Sequence, residues 1–108
     1  MINTSKRDDI KKGRYDPDEH IDRDLLQYQF EEQEGKCFYC EVAMVTHSSE
    51  NGKIDPDRMS IERMDNRVGH IKENCILACY KCNCQRQDRY DCNEFYRMKA
   101  GERELNNV

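Results

Sequence analysis

Two Cys-x-x-Cys pairs, Cys37/Cys40 and Cys79/Cys82, constrain what this chain can fold into more than any other feature of its sequence. Two cysteines separated by two residues can turn both thiolates toward one ion, and two such pairs complete the tetrahedron that zinc accepts. Four thiolates leave no coordination position open, so the spacing predicts a structural rather than a catalytic zinc ion. Iron in the same cage is the main chemical alternative.

Composition explains why such a staple is needed. Of the 108 residues, 36% are hydrophobic and 37% are charged, so one small domain buries little apolar surface. The seven cysteines are an odd number, which argues against a complete disulfide framework. The sequence shows no apolar leader and no membrane-length run. We therefore expect an intracellular, reducing compartment (cytoplasm, nucleus or a phage-infected cell) and no membrane partner.

The net charge of −4 hides a segregation of charge along the chain. Residues 16–34 carry eight acids and one base, whereas residues 58–90 carry seven bases and four acids. A basic half can contact phosphates while the acidic half faces away or meets a protein partner. The alternative is an ordinary mixed surface.

Local patterns predict a small α+β domain over residues 15–101, with a flexible arm at 1–14 and a tail at 102–108. A helix is predicted from the Asp16–Glu19 acids to Gly35, and a loop over residues 46–57. Alternation predicts a strand over 59–64, and an apolar run predicts a second strand over 75–78. The region after the second cysteine pair favours a helix over 83–90 and another from Asp91 to Gly101.

The order of these motifs resembles the HNH (ββα-metal) endonuclease family, here with zinc knuckles and flanking helices. The matching stretches are Gly35-Lys-Cys-Phe-Tyr-Cys40, Ser60-Ile-Glu-Arg-Met-Asp-Asn66, Gly69-His70, Asn74 and Cys79-Tyr-Lys-Cys-Asn83. The resemblance implies hydrolysis of DNA phosphodiester bonds by a water molecule that one divalent ion, Mg²⁺ or Mn²⁺, helps to activate.

Carried over residue by residue, the resemblance assigns Glu62 and Asn83 as ligands of the catalytic ion and Asn74 as the residue that ties the hairpin loop. Arg63 occupies the position of the usual general-base histidine. Arginine stays protonated and cannot accept a proton from water, but it can clamp the scissile phosphate. His70, four residues before Asn74, is the candidate replacement base. The alternative is that His70 is an ordinary loop residue with no catalytic role.

The predicted contacts to double-stranded DNA are four basic side chains, Arg63, Arg67, Lys72 and Arg86. A second hypothesis is a catalytically inactive zinc module that binds nucleic acid or serves as a protein-interaction subunit, with the acidic helix over 16–34 as its protein-facing surface. A purely structural zinc-ribbon subunit is the third.

Overall fold

The computed structural model describes residues 2–46, 54–87 and 89–106. Most of the loop predicted over 46–57 lies outside these residues. The described chain is an α+β domain with a two-stranded sheet and four α-helices. In chain order these are α1 (Ile2–Lys11), α2 (Arg23–Glu32), β1 (Met59–Arg63), β2 (Cys75–Cys79), α3 (Tyr80–Arg86) and α4 (Cys92–Asn106). None of these helices combines the length and apolar character that crossing a bilayer requires.

The two strands form the antiparallel hairpin that the sequence predicts. Met59 pairs with Cys79 and Arg63 with Cys75, and a short 3₁₀ turn at Lys72–Asn74 precedes β2. All five residues of β2 are buried, as its apolar run requires. In β1 the buried residue is Glu62, while Ile61 is half-buried. Met59 and Ile61 on the other face are half-buried and pack against the core, as alternation predicts, and the reason why Glu62 is buried as well lies in α3.

Helix α2 begins six or seven residues later than predicted. The Asp16–Glu19 stretch forms an isolated turn, in which Asp16 accepts hydrogen bonds from the backbone of Asp18 and Glu19. Asp22 is the actual N-cap, accepting from the Leu25 N–H at 2.8 Å. Several acids in this segment suit a cap equally well, so residue type alone does not choose among them.

Helix α2 ends at Glu32, with Gln33 rather than the predicted Gly35 as its C-cap. Glu34 and Gly35 follow with positive φ values of 55° and 70°, and the Gly35 N–H donates to the Phe30 carbonyl. Gln33, the C-cap, donates to and accepts from the backbone of Leu77 at 2.8 and 3.0 Å. One amide side chain therefore satisfies the backbone of β2 on its free edge and fastens α2 to the sheet.

The predicted flexible arm, residues 1–14, contains helix α1. Its anchor is polar: Asp9 is 1% exposed and accepts from the His70 N–H, the His70 Nδ1 and the Arg14 Nε. Gly69 lies so close that a Cβ there would sit 2.6 Å from the Arg14 carbonyl oxygen. Hydrophobic periodicity misses this helix because it docks through a carboxylate, while Ile10 is 54% exposed.

The C-terminal half closes over the cysteine cluster. Helix α3 begins at Tyr80, three residues earlier than predicted. Asp91 caps α4 as predicted, but the helix continues through Gly101 to Asn106 and takes up most of the segment predicted as a tail. Phe95 packs edge-on against Tyr39 at 4.7 Å. The core consists of Cys37, Tyr39, Met44, Ile76, Leu77, Ala78, Cys79, Cys82, Cys92 and Phe95.

Candidate functional site

The four predicted cysteine ligands converge on one point. The sulfur atoms of Cys37, Cys40, Cys79 and Cys82 all lie within 4.8 Å of one another. The Sγ atoms of Cys40 and Cys79 are 3.7 Å apart. Four sulfurs at about 2.3 Å from a central zinc ion would be about 3.8 Å apart, so this spacing suits a tetrahedral ion. All seven cysteines are free thiols. The cluster can therefore hold a metal such as zinc.

The protonation of these thiols supports the same interpretation. Hydrogen bonds from the thiols of Cys79 and Cys82 hold the pKa of Cys37 far below its usual value. The hydrogen bond to Cys37 in turn raises the pKa of Cys79 to about 12, and the pKa of Cys82 rises too, for the same first cause. Cysteine binds a metal ion as the deprotonated thiolate, and the charge of a divalent ion favours that form in its ligands.

Backbone hydrogen bonds and turns position each pair of cysteines at the cluster. Lys36 and Ala43 form an isolated bridge around the first pair, and the Cys37 N–H donates to the Val42 carbonyl. Glu41 turns this knuckle with a φ of +63°. The second pair lies where β2 passes into α3: Cys79 is the N-cap, and its sulfur accepts from the Cys82 N–H. The metal site therefore joins the exit of α2 to the start of α3.

Strand β1 and helix α3 meet along a line of polar contacts, which we call the β1–α3 seam and define by Ser60, Glu62, Asn83 and Arg86. The Asn83 Nδ2 donates to the Ser60 Oγ at 3.1 Å, and the Arg86 Nη1 donates to the Glu62 Oε1 at 2.9 Å. Residues two apart on a strand share a face, so Glu62 and Asn83 lie on opposite sides of one seam.

Arg86 is fully buried, in contrast to its predicted contact with phosphate. Besides the Glu62 carboxylate, its guanidinium donates to the carbonyl oxygens of Arg63, Met64 and Tyr90. The ion pair holds Glu62 at 5% exposure, which explains why a charged residue is the buried residue of β1. Arg86 is a structural clamp between α3 and the hairpin.

Glu62 keeps one unsatisfied oxygen. Its Oε2 is buried and has no hydrogen-bond partner in the described part of the chain. Burial raises the pKa of Glu62 to about 7, even though the charge of Arg86 acts in the opposite direction. Such an orphaned carboxylate oxygen is a suitable ligand for a small cation, and Asn83 on the same seam carries an amide oxygen.

The hairpin loop is tied together by Asn74, as the resemblance implies. Its Oδ1 accepts from the Asp65 N–H, and its Nδ2 donates to the carbonyl oxygens of Asp65, Val68 and Gly69. Arg63 also contributes, because its Nη1 donates to the Asn66 and Val68 carbonyls. The residue at the general-base position therefore holds the loop.

His70 is 8% exposed and lies against Asp9 rather than at the seam. Burial lowers its pKa, while the hydrogen bond between its Nδ1 and Asp9 opposes that effect. Successive strand residues face opposite ways, so Glu62 faces α3 while Arg63 faces the loop. No contact within the described residues joins His70 to Glu62 or Asn83. Asp9, which orients His70, is a residue that no sequence pattern pointed to.

Of the predicted phosphate contacts, only two are well exposed. The Arg67 side chain is 90% exposed and forms a salt bridge with Asp65, and the Lys72 side chain is 44% exposed and lies 3.9 Å from Asp22. All eight acidic residues of the 16–34 segment are exposed as well. No family model, curated protein or solved structure matches this chain.

Proposed function

We propose that this protein is an HNH-type endonuclease that hydrolyses DNA phosphodiester bonds with one divalent ion, beside a structural zinc ion held by the four cysteines. The observation that carries the proposal is the orphaned Oε2 of Glu62 on the β1–α3 seam, across from Asn83. These are the two positions at which the resemblance to HNH nucleases requires metal ligands.

The proposed role of the zinc ion is to position Asn83 relative to β1. Asn83 directly follows the cysteine Cys82, so an ion that holds Cys82 against Cys37 also fixes Asn83 relative to β1. The Ser60 hydroxyl then orients the Asn83 amide by accepting its Nδ2–H, which leaves Oδ1 as the atom that can bind a cation. In this proposal the catalytic site is assembled by the fold before any substrate binds.

Glu62 Oε2 and Asn83 Oδ1 would hold the catalytic Mg²⁺ or Mn²⁺. The bound ion would supply Lewis acidity and stabilise the negative charge that develops on the phosphate. Magnesium usually keeps several water ligands, so two protein oxygens are enough. Arg86 keeps Glu62 in place through the other carboxylate oxygen.

A plasmid-nicking assay tests this proposal. The zinc-loaded protein should nick supercoiled DNA with Mg²⁺ or Mn²⁺, and Asn83→Ala should lower the rate by about 100-fold or more with the fold intact, as loss of a metal-site group does. Arg97→Ala, an exposed arginine on α4, is the matched control and should nick normally. An absence of nicking by the wild-type protein with every divalent ion and every DNA form would refute the proposal.

Two further variants identify the base. Arg63→His restores the family's usual residue and should raise the rate if the remaining machinery is intact. His70→Gln should abolish nicking if His70 is the base. If His70 only supports the fold, the variant protein should instead lose stability in proportion to activity.

The second candidate is a catalytically inactive module that binds nucleic acid. It is favoured by one observation: both members of the acid–base pair make structural contacts, Glu62 with Arg86 and Arg63 with two loop carbonyls. This candidate predicts salt-dependent DNA binding without cleavage, and no effect of Glu62→Gln on binding.

A further inference from the structure

A groove of about 330 Å³ with mixed polar and apolar lining opens beside Asn83. It is lined by Thr4 and Ser5 of α1, by Ile54 and residues 58–61, and by Tyr80 and Asn83 of α3. The volume lies within the range of small-molecule sites. None of the lining residues is acidic, although the whole chain contains 22 acidic residues. The groove is therefore a place where an anion meets no repelling carboxylate.

Arg58 is the cation of this groove. Its backbone is fixed on both sides, because its N–H donates to the Asp55 carbonyl and its own carbonyl accepts from the Tyr80 N–H. The residue is half-buried, yet within the described part of the chain its guanidinium makes no hydrogen bond and no ion pair. Arg86, by contrast, has every side of its guanidinium occupied. A half-buried arginine whose guanidinium is not bound by any described residue suits a phosphate group, which it can bind with two parallel hydrogen bonds.

Tyr80 adds an aromatic surface next to this charge. It is the first residue of α3, is 38% exposed, and is joined to Arg58 through the backbone at 2.8 Å. Exposed aromatic rings beside basic groups bind unpaired bases by stacking, whatever the base. The Ser60 and Asn83 side chains lie at the same groove and add hydroxyl and amide groups.

We propose that this groove binds one nucleotide unit of a single strand of nucleic acid, with its phosphate on Arg58 and its base on Tyr80. The proposal rests on the proposed function, because it names the substrate form that reaches Asn83. Tyr80 is exposed, and its ring can stack only on a base that is unpaired, so the groove favours a single strand over a duplex. Because Thr4 and Ser5 line the same groove, α1 is part of the proposed substrate site.

Fluorescence anisotropy with a labelled single strand of about ten nucleotides tests the groove. The zinc-loaded protein is used without added Mg²⁺ or Mn²⁺, so binding is measured without cleavage. Arg58→Ala should weaken binding and reduce the slope of log K against log salt by about 0.7, the value for one lost phosphate contact on a single strand. The matched control Arg97→Ala should keep the wild-type slope.

The aromatic contact is tested separately. Tyr80→Ala should weaken binding by about fivefold or more, while Tyr80→Phe keeps the ring and should bind nearly as the wild type does. Circular dichroism checks that each variant is folded. The proposal is overturned if the wild-type protein does not bind the single strand, if Arg58→Ala binds with the wild-type slope, or if Tyr80→Phe loses as much affinity as Tyr80→Ala.

The same proteins are assayed with Mg²⁺ or Mn²⁺ for nicking of the plasmid and for cleavage of the single strand, which separates the two proposals. Weaker binding by Arg58→Ala, with neither DNA form cut by the wild-type protein, supports the groove and refutes the nuclease. Nicking by the wild-type protein with unchanged binding by Arg58→Ala supports the nuclease and refutes the groove.

Discussion

The buried clamp formed by Arg86 can be tested by replacing it with methionine. Arg86→Met keeps an unbranched side chain of similar length, so it leaves little empty volume, but it removes the partner of Glu62. The substitution also leaves the carbonyl oxygens of Arg63, Met64 and Tyr90 without their donor. Since the arginine side chain is 0% exposed, water cannot take over these contacts.

Removing one partner of a buried ion pair costs roughly 3–5 kcal/mol, because the other charge stays buried and uncompensated. Small domains have a free energy of unfolding of about 5–15 kcal/mol, so Arg86→Met should remove a large share of the total. In the double variant Glu62→Gln/Arg86→Met the buried charge is gone. We expect it to be more stable than Arg86→Met alone by at least about 1 kcal/mol.

The stability loss expected for Arg86→Met should also depend on pH. The pKa of Glu62 is raised from 4.5 to about 7, so its carboxyl favours the folded state least above that value. Without Arg86 the pKa of Glu62 rises further, because the main lowering charge is lost. The stability difference between Arg86→Met and the wild type should therefore be smaller about one pH unit below this pKa than one unit above it.

Urea denaturation followed by circular dichroism, at a fixed zinc concentration, measures these differences. Arg97→Met on the exposed surface of α4 is the control and should stay within about 0.5 kcal/mol of the wild type. A loss below about 1 kcal/mol for Arg86→Met at both pH values would refute the buried clamp. A selective loss of DNA affinity in that variant would restore Arg86 to the surface role predicted from the sequence.

Three other predictions concern the metal cluster and the docking of α1. Cys82→Ser should prevent folding and abolish the one-to-one zinc content measured by native mass spectrometry, since zinc binding in small peptides contributes about 10–16 kcal/mol; the exposed Cys84→Ser should keep both. Gly69→Ala places a Cβ 2.6 Å from the Arg14 carbonyl oxygen, so α1 should become sensitive to proteolysis while zinc is retained. Burial lowers the pKa of His70 from 6.5, so this group binds a proton more readily unfolded than folded. Protection of α1 against hydrogen exchange should therefore fall as the pH drops below about 6.5, and a His70→Gln variant should lose that part of the pH dependence.

The cysteine cluster and the hairpin could be predicted from the sequence because their signals are local. A Cys-x-x-Cys spacing sets the geometry of each pair, and the apolar run of β2 needs no knowledge of its neighbours. The neighbourhood of the end of α2 belongs to the same class, because Gly35 adopts the positive φ that glycine tolerates best, although the C-cap itself is Gln33. Each of these features depends on residue type and short spacing alone.

The contacts that the sequence did not reveal join charged residues across long separations. Asp9 meets His70 61 positions later, and Glu62 meets Arg86 across the seam. A charged side chain is usually exposed, so a pattern analysis places such residues at the surface unless the partner is known. For this reason the sequence predicts a flexible arm where α1 lies, and a phosphate contact for the buried Arg86.

Glu62 forms an ion pair with Arg86 and is also the proposed ligand of the divalent ion, so the ion pair affects how strongly that ion could bind. Its Oε1 is held by Arg86, and only Oε2 is free, so an incoming cation shares the carboxylate with a guanidinium 2.9 Å from the other oxygen. The positive charge of Arg86 weakens the attraction of the Glu62 carboxylate for a cation. Burial, which raises the pKa of Glu62, has the opposite effect, because it strengthens that attraction once the carboxyl group is deprotonated. The cation and the proton compete for Oε2. The concentration of Mg²⁺ or Mn²⁺ needed for half-maximal nicking should therefore decrease as the pH rises through about 7. Under the proposed function, a zinc ion in the cysteine cluster would fix the position of Asn83, and the Arg86 clamp would determine how strongly Glu62 binds the catalytic ion.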